Sequence, residues 1–325
     1  MFFDYKSGAI DFVGRWAEFE DSMAATAPGA YFRFAFKGDY AVLNFNTNWN
    51  SHPYGHIWIQ IDGGDRIEAT AETYIRLSMK DSGVHNVTVI YKSNVEMHHR
   101  WYMPLVGKLA LRGFEADECA EVAPDNRKTI EFVGDSITEG VLIDDFRNPD
   151  RNHDQYNRPF QDDCTATYAW LTAENLNLIP LCMGYGAVGV THGGCGSTPK
   201  AADGYNYCFF NKEVKYASPD YILINHGAND RGAGVEKYLE EYEKLLDVIR
   251  AKNPDSKLIS LSAFCGAYHN ELGEFIENYS KKNGCDILYI DSNGWIPLEP
   301  LHPRRDGHKK IAKNLTAILK KELDL

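Results

Sequence analysis

The sequence lacks any pair of cysteines placed to build a disulfide or zinc framework. Its seven cysteines are scattered at positions 119, 164, 182, 195, 208, 265 and 285, and none forms a Cys-x-x-Cys pair. An odd number of scattered cysteines argues against a disulfide scaffold and against a zinc ribbon. We therefore expect reduced thiols and a cytoplasmic location.

Metal ligand clusters and membrane spans are also missing. His98 and His99 are neighbours, and neighbouring residues of a strand point to opposite faces, so they do not form a metal site. Residues 40–61 contain no Lys, Arg, Asp or Glu, but Asn, His, Pro and Gly interrupt their apolar content. The first residues show no basic segment followed by an apolar core, as a secretory signal would. We expect no metal, no other cofactor and no membrane partner.

The sequence has fewer basic than acidic residues. The 34 Lys and Arg residues are outnumbered by 46 Asp and Glu residues, which gives a formal net charge of −12 at pH 7. Proteins that bind nucleic acid neutralise phosphates with Lys and Arg, so this balance excludes nucleic acid as an expected partner. It is compatible with a neutral small molecule or a neutral oligosaccharide.

The first part of the chain is rich in short strands. The length of 325 residues fits two ordinary domains. Between residues 32 and 111, apolar and polar residues alternate repeatedly, and clusters such as Asp62-Gly-Gly-Asp interrupt the runs. This pattern predicts antiparallel strands joined by turns. We assign residues 1–123 to an antiparallel, jelly-roll-like β-sandwich that serves as an accessory domain.

The second part alternates strands with helices. Strands are predicted near residues 128–133, 179–183, 221–225, 257–263 and 286–290, and helices near 165–176, 235–251, 272–282 and from 307 onward. Such alternation indicates a parallel sheet covered by helices, with ligands at the carboxyl ends of its strands. We assign residues 124–325 to this α/β domain.

A serine and a histidine stand at the positions where such a fold displays catalytic groups. The first strand of the α/β domain runs into Gly134-Asp135-Ser136, which places Ser136 at a strand end. His302 lies between the last strand and the last helix, three residues after Glu299. A serine nucleophile needs a base, and the base needs an acceptor that orients its ring. The alternative for Ser136 is that it only caps the following helix.

Two further segments could stabilise an oxyanion. Asn229 follows the third strand, and its side-chain amide could donate a hydrogen bond to a developing negative charge. The glycine-rich segment 184–189, which follows the second strand, could present a backbone N–H to the same oxygen.

In this order, the segments at 134–137, 184–189, 227–230 and 302–308 resemble the motifs of the SGNH (GDSL-type) hydrolase family. The resemblance covers roughly residues 128–325. It implies a flavodoxin-like, three-layer α/β/α fold and ester hydrolysis by Ser136, with His302 as the base. It also implies an oxyanion hole formed by the Ser136 N–H, the Gly189 N–H and the Asn229 side chain, with Gly186 as the alternative to Gly189.

The acceptor for the histidine departs from the family pattern. The family usually has Asp three residues before the histidine, and this chain has Glu299 there. Glu299 could complete a triad, or a backbone carbonyl could replace it and leave a Ser–His dyad; Asp306 is a weaker candidate. His308 competes with His302 as the base, but it lies in the predicted last helix, so we favour His302.

A β-sandwich before an SGNH domain is similar to the second carbohydrate-esterase family, whose members remove acetyl groups from plant polysaccharides. The resemblance implies an acetylesterase acting on carbohydrates such as acetylated xylan or glucomannan. Asp135 and Trp295 are the candidates for substrate contact. The alternatives are a lipid or thioester acylhydrolase on the same scaffold, and a sugar-binding protein with a degenerate catalytic half.

A long polar segment, residues 141–163, separates the serine from the next predicted helix. Loops of this length in a compact domain are usually functional or mobile. We interpret it as a contact with substrate or with a second subunit, with a solvated insertion as the alternative. Whether the chain forms a homo-oligomer is left open.

Overall fold

The computed structural model describes residues 1–144 and 158–324. Within them, the chain builds a ten-stranded antiparallel sheet, a five-stranded parallel sheet and a two-stranded hairpin. The change from the first sheet to the second follows the change in hydrophobic period along the sequence. The predicted boundary at residue 123 falls in the segment that joins the two sheets, residues 121–128.

The β-domain is a network of antiparallel strands. They pair in the order β3-β4-β10-β5-β9-β6-β7, while β1 pairs with β10 and both β2 and β8 pair with β5. The strands are β1 (Phe2–Asp4), β2 (Ile10–Val13), β3 (Ala17–Phe19), β4 (Ser22–Ala25), β5 (Tyr31–Phe45), β6 (His56–Ile61), β7 (Ile67–Thr70), β8 (Tyr74–Ser78), β9 (Val84–Ser93) and β10 (Leu109–Ala120).

The 15-residue strand β5 organises this network. On one side it pairs with β10, from residue 35 to residue 45. Its first half also pairs with β2 and β9, and its second half also pairs with β8. Side chains from the strands other than β3 pack into one core, which includes Phe32, Phe34, Leu43, Val89 and Leu111. The antiparallel β-rich domain predicted from the period-2 alternation is confirmed.

The α/β domain contains a parallel sheet in the order β12-β11-β15-β16-β17. This is the flavodoxin-like arrangement, in which the first two strands along the chain are exchanged in space. Its strands are β11 (Thr129–Gly134), β12 (Ile179–Gly184), β15 (Tyr221–Asn225), β16 (Lys257–Leu261) and β17 (Ile287–Ile290), and the separate hairpin consists of β13 (Tyr207–Phe209) and β14 (Lys212–Glu213).

Helices cover both faces of the parallel sheet. Along β11, Ile130 and Phe132 pack with α3 and α7, whereas Val133 packs with α5 and α6 on the other face. The three-layer α/β/α prediction is confirmed. In the described parts of the chain, no helix has the length and apolar content needed to cross a membrane. The helices are α1 (Ser136–Glu139), α2 (Arg158–Gln161), α3 (Tyr168–Asn175), α4 (Ala201–Gly204), α5 (Val235–Lys252), α6 (His269–Asn283) and α7 (Arg305–Glu322).

Helix α3 begins later than the sequence predicts. The Thr167 side chain accepts a hydrogen bond from the Trp170 N–H at 3.3 Å and so caps the helix. A short 3-10 turn, Cys164–Ala166, occupies the residues before it. The predicted helix over 165–176 is therefore divided, because a threonine within it caps the helix instead of continuing it.

A buried ion pair joins the two domains. Arg15 of the β-domain donates from Nη2 to Glu131 Oε1 of β11 at 2.7 Å, and the two side chains are 1% and 0% exposed. The Tyr205 hydroxyl donates to the other carboxylate oxygen at 2.7 Å. Burial opposes the charge on Arg15, but the Glu131 carboxylate, together with Tyr216, Tyr205 and Cys208, outweighs it, so the pKa of the guanidinium is raised.

Candidate active site

A sharp turn at the end of β11 presents Ser136. Asp135 caps α1, and its Oδ1 accepts a hydrogen bond from the Ile137 N–H at 2.9 Å. A Cβ on Gly134 would overlap Thr138 Oγ1, so the turn requires glycine there. Because Asp135 serves as the cap, the Ser136 hydroxyl is left for another role. Ser136 lies at the first position of α1, at the carboxyl edge of the sheet.

His302 reaches Ser136 from the far end of the chain. It lies on the loop between β17 and α7, and its Nε2 is 2.9 Å from Ser136 Oγ. At this distance the imidazole can take the hydroxyl proton as the serine attacks. The structure thus brings together the two residues to which the sequence assigns the nucleophile and the base.

The other candidate base, His308, is engaged with helix α3. It is buried, and its Nδ1 accepts a hydrogen bond from the Tyr168 N–H at 3.0 Å, which ties α7 to the start of α3. Burial lowers the pKa of His308 to about 3. A neutral histidine engaged with a helix terminus is a structural residue, in agreement with the preference for His302.

The structure places both predicted carboxylate partners of His302 at the surface. Glu299 and Asp306 are exposed. Among the hydrogen bonds between described residues, none joins the His302 ring to Glu299. The choice between a triad with Glu299 and a dyad stays a prediction.

Asn229 lies beside the nucleophile turn. Its Nδ2 donates to the Val188 carbonyl at 3.0 Å and lies 3.4 Å from Asp135 Oδ2. Gly227, with φ of +134°, turns the chain after β15 and brings the asparagine to this position. The amide is therefore held between the nucleophile turn and the loop after β12, and its role toward an oxyanion stays a prediction.

The backbone N–H of Gly189 is engaged within its own loop. It donates to the His192 carbonyl at 3.1 Å, so binding an oxyanion would require it to leave that hydrogen bond. A Cβ on Gly189 would overlap Asp230 Oδ1. The alternative, Gly186, accepts a hydrogen bond from the Cys195 N–H through its carbonyl at 2.8 Å. The assignment of the donor to either glycine stays a prediction.

Asp230 shapes the loop that carries these glycines, a role that was not predicted from the sequence. Its carboxylate is 1% exposed and accepts hydrogen bonds from the Val190 N–H at 3.2 Å, the Thr191 N–H at 2.9 Å and the Thr191 hydroxyl at 2.6 Å. The only sequence signal was its position directly after Asn229. These hydrogen bonds link the segment 227–230, which contains Asp230, to the residues that directly follow the glycine-rich segment 184–189.

Asp135 lies inside the protein, and its predicted contact with substrate stays a prediction. Asp135 is 1% exposed, and its carboxylate faces the Ile137 N–H and the Asn229 amide. Burial raises the pKa of this carboxyl to about 7, although the hydrogen bond from Ile137 favours the charged form. Asp135 therefore holds the turn and Asn229 from inside the protein.

Two other predicted features are Trp295 and the long polar segment after the nucleophile turn. Trp295 is half-buried on the loop that carries His302 and packs against the core beside α3 and α7, so its contact with substrate stays a prediction. Residues 145–157 of the predicted substrate or subunit loop lie outside the described residues. In the described remainder of that loop, Arg158 pairs with Glu96 of the β-domain at 3.1 Å.

A serine at the end of the first strand of a flavodoxin-like sheet, hydrogen-bonded to a histidine that precedes the last helix, defines a serine hydrolase type of site. The chain belongs to the GDSL-like lipase/acylhydrolase family, whose model matches residues 132–310. The resemblance found in the sequence is confirmed.

Two relatives match the chain across both domains. The chain is 24% identical to the cellulase/esterase CelE of Acetivibrio thermocellus over 89% of this chain and 37% of that protein. It is 23% identical to the acetylxylan esterase / glucomannan deacetylase of Cellvibrio japonicus over 80% of this chain and 73% of that protein. It thus spans little more than a third of the length of the first relative.

A solved structure shares the whole architecture. A family two carbohydrate esterase from Cellvibrio japonicus superposes with a TM-score of 0.82 at 18% identity, covering 100% of this chain and 98% of that chain. This likeness shows that both domains and their order are common to the two proteins.

Proposed function

We propose that this protein is a serine esterase that removes O-acetyl groups from carbohydrates, such as acetylated xylan or glucomannan oligosaccharides. The observation that carries the proposal is the 2.9 Å distance between Ser136 Oγ and His302 Nε2. The names of the two sequence relatives support the substrate class. The net charge of −12 favours an uncharged substrate, and the seven free cysteines support a cytoplasmic location.

In the proposed mechanism, His302 takes the proton of Ser136 as Oγ attacks the acetyl carbonyl. The tetrahedral oxyanion that forms is stabilised by the N–H of Ser136 and by the donors assigned to Asn229 and Gly189. His302 returns the proton to the sugar oxygen, which leaves as the free hydroxyl. Water then attacks the acetyl-enzyme by the same route and releases acetate.

Acetate release from acetylated xylan and glucomannan oligosaccharides tests the proposal. We expect release by the wild type and none above background by Ser136→Ala, which loses the attacking oxygen. Thermal unfolding of both proteins controls for folding. Activity that survives in Ser136→Ala would contradict the mechanism.

Chain-length preference separates this proposal from a lipid or thioester acylhydrolase. We expect 4-nitrophenyl acetate to be hydrolysed faster than 4-nitrophenyl octanoate. The reverse order, together with no acetate release from the oligosaccharides, would favour the lipid acylhydrolase. Binding of the oligosaccharides without any hydrolysis would favour a sugar-binding protein.

A further inference from the structure

A segment of the β-domain lies directly behind the candidate active site. The Arg100 N–H donates to the Gly196 carbonyl at 2.9 Å, and Glu96 lies so close to Gly186 that a Cβ on this glycine would overlap its carboxylate. Gly186 and Gly196 both belong to the region that follows β12. Residues 96–100 therefore support the glycine-rich part of the site from the other domain.

The Arg100 side chain continues from this segment to the turn that carries the nucleophile. Its two terminal nitrogens face the two carboxylate oxygens of Glu139, with Nη2 at 3.3 Å from Oε2. The two side chains are 0% and 2% exposed. The guanidinium also lies over the Tyr185 ring, 5.1 Å from its centroid. Such a fork holds a carboxylate in both position and orientation.

Glu139 is in turn tied to Ser136 through the backbone. Its N–H donates to the Asp135 carbonyl at 2.9 Å, and the next residue, Gly140, donates to the Ser136 carbonyl at 3.0 Å. These bonds make residues 135–140 one compact turn. A shift of the Glu139 carboxylate would move the turn and change the 2.9 Å distance from Ser136 to His302.

We infer that Arg100, which belongs to the β-domain, is a positioning residue for the nucleophile: it holds the Glu139 carboxylate and thereby keeps Ser136 Oγ within reach of His302. The inference rests on the proposed function, because it assigns Arg100 a role in serine chemistry. It makes the β-domain part of the catalytic apparatus.

The chain offers a matched control. Arg15 and Glu131 form a second buried ion pair across the same domain boundary, 1% and 0% exposed, but Glu131 lies within β11 and not in the nucleophile turn. Breaking either pair leaves a buried carboxylate without its cation and lowers stability. Of these two pairs, the Arg100 pair alone is connected to Ser136 through the turn.

The experiment compares Arg100→Gln and Arg100→Lys with Arg15→Gln and Arg15→Lys, using thermal unfolding and kinetics on 4-nitrophenyl acetate. We expect all four variants to lose thermal stability. Arg100→Gln should lose about tenfold or more in kcat with KM changed little, because small displacements of reacting groups are costly. Arg100→Lys should have a higher kcat than Arg100→Gln. The Arg15 variants that remain folded should have a kcat within about threefold of the wild-type value.

Equal kcat values in Arg100 and Arg15 variants of equal stability would overturn the inference. Should the Gln variants fail to fold, the two Lys variants decide the question by the same comparison. The rate at which a fluorophosphonate labels Ser136 gives a readout that needs no acetyl substrate. If the wild type reacts with this probe but releases no acetate from carbohydrates, the proposed function fails. The inference is still supported in that case if the Arg100 variants are labelled more slowly than the wild type and the Arg15 variants are not. If the wild type is not labelled, both fail.

Discussion

Gly184 at the end of β12 lies against the backbone of Glu139, and a Cβ on this glycine would stand 2.5 Å from the Glu139 nitrogen. The carboxyl end of the second strand thus packs directly on the turn that carries Ser136. The contact is between backbone groups, so no flexible side chain can move aside to make room.

We expect Gly184→Ala to displace the nucleophile turn. The variant should lose about 1–3 kcal/mol of unfolding free energy, the usual cost of overpacking, and should have a lower kcat. Urea unfolding and kinetics on 4-nitrophenyl acetate measure the two effects. Gly232→Ala is the control: nothing lies within 4 Å of its Cβ position, so its stability should change by less than about 0.5 kcal/mol. Equal behaviour of the two variants would contradict the prediction.

The two histidines near the last helix should separate activity from stability. His302→Gln removes the base and should lower kcat by about a thousandfold or more, with unfolding close to that of the wild type. His308→Gln leaves the Ser136–His302 pair in place and should keep most of the activity while unfolding at a lower temperature. Esterase assays and thermal scans of both variants test this assignment. The assignment is wrong if His308→Gln loses the activity and His302→Gln loses the stability.

His308 should also make stability depend on pH. Its pKa is lowered from 6.5 to about 3 in the folded protein, so the unfolded chain binds a proton that the folded chain rejects. The stability contributed by neutral His308 is therefore complete above pH 6.5 and decreases as the pH falls, by about 2 kcal/mol at pH 5. His308→Gln lacks this dependence. The difference in unfolding free energy between wild type and variant should shrink by that amount between pH 7.5 and pH 5.

Asp135 should show the opposite dependence. Its pKa is raised from 3.8 to about 7, so the folded protein holds a proton that the unfolded chain releases. The stability from this carboxyl is complete at acidic pH and is lost as the pH rises through 7, by up to about 4 kcal/mol. Asp135→Asn keeps a capping oxygen but does not titrate. Between pH 4 and pH 7.5, urea unfolding should show the unfolding free energy of the variant rising relative to that of the wild type. A difference in unfolding free energy that does not change with pH would contradict the raised pKa of Asp135.

Asn229→Ala should lower kcat on acetyl esters by about a hundredfold or more, as expected for the loss of one oxyanion donor. The KM should change little, because the oxyanion exists only after the serine has attacked. Steady-state kinetics on 4-nitrophenyl acetate measure both constants. A loss confined to KM would assign Asn229 to ground-state binding instead.

The sequence predicted what local patterns encode. Alternating and helical periodicities gave the antiparallel domain and the parallel sheet with its covering helices, and strand ends located Ser136 and His302. Short-range details were less accurate, since α7 begins at Arg305 and not at residue 307. Helix ends fray, so periodicity locates the start of a helix only to within one or two residues.

Contacts between distant positions could not be predicted in this way. Arg100 and Glu139 are 39 positions apart, and no pattern near Arg100 marks it as a partner of the nucleophile turn. The direction of the Gly189 N–H likewise depends on the loop that Asp230 holds through Val190 and Thr191. Such features follow from the packing of several segments, which one sequence does not reveal.

The acid in the centre of β11 takes its counter-ion from the other domain. Glu131 lies inside the parallel sheet and faces Arg15, which comes from the first twenty residues of the chain. A catalytic half cut at the boundary would carry a carboxylate in its central sheet without the arginine that compensates it. We therefore expect the α/β domain to be unstable without the β-domain, so fusions, truncations and domain exchanges have to keep the two domains together.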